Sequence, residues 1–103
     1  MAELSTLARP YAKAAFEFAR DKDALSQWSR ELGTVASVAA ADRMGSVLDN
    51  PSITDEQQAQ ILNEVCGDEV SAHVQNFVRI LASNKRLSLL PEIHAQFELL
   101  KSN

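Results

Sequence analysis

Residues 4–19 read Leu4-Ser5-Thr6-Leu7-Ala8-Arg9-Pro10-Tyr11-Ala12-Lys13-Ala14-Ala15-Phe16-Glu17-Phe18-Ala19, and their spacing decides the fold. Advancing each residue by about 100°, as a helical turn requires, sets Ala14, Leu7, Phe18, Tyr11, Leu4, Ala15, Ala8, Ala19, Ala12 and Phe16 on one arc of roughly 200°. One core contact needs a stripe of only about 100°. Thr6, Arg9, Lys13, Glu17 and Arg20 complete the circumference. Surplus apolar surface on a small domain marks a second packing partner, so this helix is expected to serve both a core and something else.

The rest of the chain reads as helix too. At 103 residues it is large enough for one core and one domain. Ala, Leu, Glu and Gln dominate, only three Gly and three Pro interrupt them, and no run of β-branched residues occurs. Asp23 is the expected N-cap of a second helix running to about Ala40, with a one-sided stripe of Leu25, Trp28, Leu32, Val35, Ala36 and Ala39. Gly33 lies off that stripe. A short third helix spans Asp42 to Leu48 and ends at Asp49-Asn50-Pro51-Ser52. Thr54 with Gln57 has the form of a capping box opening a fourth helix, which carries Ala59, Ile61, Leu62 and Val65 and stops at Gly67.

A fifth helix starts near Asp68 or Ser71 and continues to about Asn84. Its apolar residues Val70, Val74, Phe77, Val78, Ile80, Leu81 and Ala82 cover roughly 200°, the same excess as the first helix. Ser88 is the expected cap of a sixth helix, with Pro91 in its first turn and a narrower stripe of Leu89, Leu90, Ile93, Phe97 and Leu100. That pattern is still running at Lys101-Ser102-Asn103, as in a fragment of something longer. Six helices, no strands and short connections predict an all-α, single-domain six-helix bundle.

Composition also narrows function. The net charge is −4 and no basic stripe stands out, which argues against nucleic acid. The adjacent pair Lys85-Arg86 suits a helix C-terminus better than a phosphate site. Met1 to Thr6 lacks the basic, then apolar, pattern of a secretory leader, and no stretch is apolar enough to span a membrane. The lone Cys66 excludes an internal disulfide and suits a reducing compartment, so a cytosolic protein is the default expectation. Glu64, Asp68 and Glu69 cluster without an oxygen-rich loop. His73 and His94 lack partners at ligand spacing, and Cys66 lacks a nucleophile's triad. No glycine-rich phosphate motif is present. No cofactor, metal or catalytic residue is expected, and the chain reads as a non-enzyme.

Ala8-Arg9-Pro10-Tyr11-Ala12-Lys13-Ala14-Ala15-Phe16 resembles the opening motif of the δ subunit family of bacterial ATP synthase, called OSCP in mitochondria. Val65-Cys66-Gly67, then Asn84-Lys85-Arg86-Leu87, then Leu90-Pro91-Glu92-Ile93 with Phe97 fit the same family in order. The resemblance implies the N-terminal six-helix bundle of a non-catalytic stator subunit seated on the F1 head. That bundle would hold the amphipathic N-terminal helix of an α subunit in a groove between helices one and five. A second domain, absent from these residues, would contact the b subunits of the peripheral stalk. The implied location is the cytoplasmic face of the bacterial membrane, peripheral, within the complex that makes ATP. The two helices with excess apolar arc are the two that would wall the groove.

One margin of each arc supplies the expected partner-binding residues: Leu7, Tyr11, Ala14 and Phe18 on the first helix, Phe77 and Ile80 on the fifth, where His73 and Asn84 interleave. Ala14 would admit a close backbone and the Tyr11 hydroxyl would reach a polar rim. The opposite margins, Phe16 with Val78 and Ala82, compete for the role, and the residues alone leave both open. A monomer is expected in isolation. The alternative from another class is a helical adaptor or homodimer whose surplus arc meets its own copy.

Overall fold

In a computed structural model, residues 3–102 are described, and they form six α-helices, two short 3-10 turns and no strand. The helices are α1 (Leu4–Asp21), α2 (Leu25–Ala40), α3 (Asp42–Leu48), α4 (Asp55–Cys66), α5 (Ala72–Ser83) and α6 (Leu90–Ser102). The all-α bundle expected from composition is the fold adopted. Met1 and Ala2, where a leader would begin, and Asn103, at the end of the sixth helical pattern, lie outside the described residues.

α6 is the hub: it packs against both α1 and α2 and buries Leu90, Ile93 and Phe97 completely. α1 meets it through a ridge of small residues, since Ala8, Ala12, Ala15 and Ala19 are all buried. Their spacing of three and four residues keeps them on one face, and alanine lets two helices approach closely without loss of side-chain entropy. α2 also contacts α4, and α4 packs on α5. α1 and α5, by contrast, do not pack directly along their lengths. Pro10 sits inside α1, where its missing N–H leaves the Thr6 carbonyl to water on an exposed face.

Several junctions differ from the sequence-based expectation. Asp23 does not cap α2. Its φ of 54° lies in the left-handed region, and it belongs to the end of α1. The Asp23 N–H donates to the Arg20 carbonyl at 3.1 Å and the Ala24 N–H to the Ala19 carbonyl at 2.8 Å, the paired bonds of a Schellman ending. A residue in that conformation cannot present the extended backbone an N-cap needs, so Ala24 takes the position without a side-chain bond. α5 ends the same way: Lys85 has φ 59°, its N–H donates to the Ala82 carbonyl at 2.9 Å, and the Arg86 N–H donates to the Leu81 carbonyl at 2.8 Å. The Lys85 ammonium then reaches Asp55 at 3.1 Å, at the start of α4.

The capping box of Thr54 and Gln57 is formed, and Gly67 ends α4 with φ 59°. Val65 is 59% exposed rather than inward-facing. The buried face of α4 runs through Ala59, Leu62, Asn63 and Cys66, a spacing that Val65 falls outside. Asp68 lies in a 3-10 turn, Gly67–Glu69, so Ser71 is the N-cap of α5. Ser88 lies inside a second 3-10 turn, Leu87–Leu89, ahead of α6. Gly33 has a packing reason: a Cβ there would stand 3.2 Å from the His94 imidazole of α6.

Candidate partner-binding site

Because α1 and α5 are held apart by the helices between them, an open depression of about 160 Å³ remains along their shared edge. α1 supplies Ala14 and Phe18 to it, with Ala15 at the base. α5 supplies His73, Asn76, Phe77 and Ile80, residues three and four apart on one helical face. The floor is Trp28 of α2, buried to 4% exposure and wedged between the two walls.

An aromatic chain crosses this floor. The His73 ring lies 5.1 Å from Phe18, Phe18 lies 5.5 Å from Trp28, and Trp28 meets Phe77 nearly edge-on at 5.7 Å. Such tilted pairs contribute roughly 0.5–1.5 kcal/mol each beyond burial and fix the rings in place. Phe18 also has the Lys22 ammonium at 5.8 Å from its ring centroid. The depression is thus rigid at its base and apolar at its walls. Ile80 is 46% exposed, and Ala14 is also exposed. His73 and Asn76 supply polar groups at the lip.

Of the six residues singled out from sequence, Ala14, Phe18, Phe77 and Ile80 meet around this depression. Leu7 and Tyr11 do not line it; they pack half-buried against the core nearer the start of α1. The competing margin of α5 is turned inward, with Val78 at 0% exposure and Ala82 at 2%. Phe16 sets its edge against Phe97 at 6.0 Å, on the α6 side of α1. Trp28, Ala15 and Asn76 were not among the expected site residues. Trp28 sits on the core stripe of α2, and nothing in its spacing distinguishes a floor residue from an ordinary core residue.

The polar chemistry of the chain lies elsewhere. The buried Glu31 carboxylate of α2 accepts the Ser71 N–H at 2.6 Å and the Gln27 amide at 2.7 Å, tying the first turn of α5 to α2. Its place three residues after Trp28, within the apolar stripe, was the signal for this link. On α6, Glu98 accepts from the Ser29 hydroxyl and sits 3.1 Å from His94 Nε2. The Ser29 bond holds its carboxyl below the ordinary range, with Lys101 and His94 acting in the same direction. Burial pushes the Cys66 thiol up, and Glu69 adds to that shift, so it is a poor nucleophile. Among the described residues, no three His, Cys, Asp or Glu side chains gather to hold an ion, and no helix is long and apolar enough to cross a membrane.

Fold and site together define a class: a helical bundle that offers an apolar depression instead of a constellation of reactive groups. The ATP synthase delta (OSCP) subunit family model matches residues 7–103. ATP synthase subunit delta of Hahella chejuensis is 53% identical over 102 residues, covering 99% of this chain and 57% of that relative. The subunit of the same name from Cellvibrio japonicus is 48% identical over the same span, again 99% of this chain and 57% of the relative. The chain belongs to the ATP synthase delta (OSCP) subunit family. It spans a little over half the length of these curated relatives.

Proposed function

We propose that this chain is the helix-clamping part of a non-catalytic stator subunit of F-type ATP synthase. In this reading it receives the amphipathic N-terminal helix of an α subunit in the depression between α1 and α5. The observation that carries the reading is the convergence of Ala14 and Phe18 with Phe77 and Ile80 over the Trp28 floor, on the two helices that carry surplus apolar surface. A volume of about 160 Å³ is close to the ~150 Å³ that accommodates a benzene ring, so one large apolar side chain of the partner fits as an anchor. Its neighbours would lie along the flanking walls, in the helix-in-groove mode.

Burying each large apolar side chain yields ~1.5–3 kcal/mol, a gain drawn here from Phe18, Ile80 and the apolar face of the partner helix. Translational and side-chain ordering costs remove much of it, leaving roughly −8 to −12 kcal/mol, a micromolar to nanomolar complex. A stator under rotational load depends on slow release, and no bond-making chemistry is asked of the bundle. Family membership supports attachment to F1 during proton-driven ATP synthesis, peripheral to the membrane on its cytoplasmic face. Contact with the b subunits would fall to the part of the relatives' length that these residues do not span.

Calorimetric titration with a synthetic peptide of the α-subunit N-terminal helix tests the reading. One-to-one binding in the micromolar range or tighter is expected. Absence of heat at about 100 µM peptide contradicts it. Sedimentation of the free chain at tens of micromolar separates it from a self-associating bundle, since the clamp is expected to run as a monomer.

A further inference from the structure

The net charge of −4 is confined to one stretch of the chain. Residues 55–83 hold five carboxylates against Arg79 alone, while the remaining residues carry nine acidic and nine basic side chains and balance. Folding gathers four of those five carboxylates, Asp55, Glu56, Glu64 and Asp68, along an open groove between α4 and α5. The two helices run antiparallel, since Lys85 beyond the end of α5 reaches Asp55 at the start of α4. The groove encloses about 820 Å³, about five times the volume of the α1/α5 depression.

Its α4 wall is a charged row. Glu56 and Glu64 stand two turns apart, about 12 Å, and Asp68 follows four residues on in the 3-10 turn, all three exposed. Asp55 is paired with Lys85 at 3.1 Å. Glu64 accepts from the Gln60 amide at 3.0 Å, but Glu56, Glu64 and Asp68 form no ion pair among the described residues. Against these three stands Arg79 of α5, the one cation on the lining.

The floor is Ala59, at 2% exposure, and Asn63, at 8%. The Asn63 Nδ2 donates to the Gln75 carbonyl of α5 at 3.4 Å, whereas its Oδ1 is buried without a donor. A buried acceptor left unpaired is costly, and the carboxylates beside it attract positive charge. A lysine ammonium or an arginine guanidinium supplies donors and charge together. At the far end a Cβ on Gly67 would meet nothing within 4 Å, so the groove is open there for a helix to run through.

We propose that the α4/α5 groove docks a basic helix of a partner protein, with lysine or arginine every four residues along one face. Its cations pair with Glu56, Glu64 and Asp68, and the central one is the donor that Asn63 Oδ1 lacks. The occupant differs in chemistry from that of the α1/α5 depression, whose lining holds no carboxylate. The bundle therefore has two docking surfaces that do not compete.

The probe is a synthetic alanine-rich helix of about 18 residues with lysine at every fourth position, long enough to hold helix in water. A twin of identical composition scatters the lysines round the helix. The aligned peptide is expected to bind the full chain at about 10–100 µM in about 50 mM salt, and the scattered twin about tenfold more weakly. On binding, the Asn63 side-chain amide resonance is expected to shift. Glu64→Lys with Asp68→Lys, both at exposed positions, is expected to abolish binding, and Arg79→Gln to tighten it about threefold. Ala14→Asp, in the other depression, is expected to leave it unchanged. Equal affinity for the two peptides overturns the proposal, as does no binding at about 500 µM or full binding to the double lysine variant. An unmoved Asn63 resonance at saturation also overturns it. Saturable binding of calcium ion alone, at about 1 mM or below, overturns it in favour of a metal site.

Discussion

The two sides of α1 use apolar residues differently. Toward the core, where it packs on α6, the helix presents the buried Ala8, Ala12, Ala15 and Ala19, of which Ala15 also reaches the base of the α1/α5 depression. Toward α5 it presents larger side chains, Phe18 above all, whose ring meets His73 of α5 at 5.1 Å while the depression beside it stays open. Small residues give contact along the helix, whereas a large residue that meets its neighbour at a single ring leaves a depression beside itself. In the proposed clamp, an apolar arc of twice the usual width is two functions laid side by side. Under the proposed clamp, stability resides in the alanine ridge and binding in the aromatic margin.

That division breaks most visibly if the α6 side is weakened. Phe97→Ala removes a fully buried ring at the hub and is expected to cost about 3–5 kcal/mol in urea unfolding. Binding per folded molecule should be little changed. On the α5 side the expectation is inverted. Ala14→Asp sets a charge on an exposed wall, so stability should move by no more than about 0.5 kcal/mol. Peptide affinity should fall by about 100-fold or more, because the carboxylate would be desolvated without a partner.

A milder test separates the expected residues from one another. Ile80→Ala should weaken peptide binding by about tenfold with little effect on unfolding, since the side chain is half exposed in the free chain. Leu7→Ala, outside the depression, should do the reverse and act mainly on stability. Equal effects of the two on affinity would extend the site along α1.

The smallest expected effect is a pH dependence on the α6 side. Glu98 is held below its ordinary range by Ser29, so its contribution to stability is present above the unfolded value of about 4.3 and lost as pH falls through the lower folded value. Ser29→Ala removes that donor. The variant should be less stable than the parent at neutral pH, and the gap should narrow in acid, read by urea midpoints at about pH 7 and about pH 3. Peptide binding on the opposite side of α1 should not change with this titration.

Much of this was legible in the sequence because helices announce themselves by period and by caps. The Thr54 box, the stop at Gly67 and the extents of α3 and α6 depend on local chemistry, and the structure keeps them with one or two residues of drift. What local chemistry could not resolve was which of two adjoining helices a polar junction residue serves. Asp23 looks like a cap for α2 and is the terminator of α1. The depression was half legible. Periodicity pointed to α1 and α5, but the inward turn of Val78 and Ala82, and the Trp28 floor, depend on how α2 and α4 space the two walls. That spacing involves contacts far apart in sequence. The Glu31 bond to Ser71 across forty positions is one such contact: helical period marks Glu31 as inward-facing but does not name its partner.

Trp28 gives the most direct test, because it is the chain's only tryptophan and forms the floor of the depression. Its emission should change saturably as a peptide of the α-subunit N-terminal helix is added, with one-to-one stoichiometry matching the calorimetric heat. The change should vanish in Ala14→Asp. A peptide that binds by heat while Trp28 emission stays constant, or that binds Ala14→Asp as tightly as the parent, would contradict a clamp between α1 and α5.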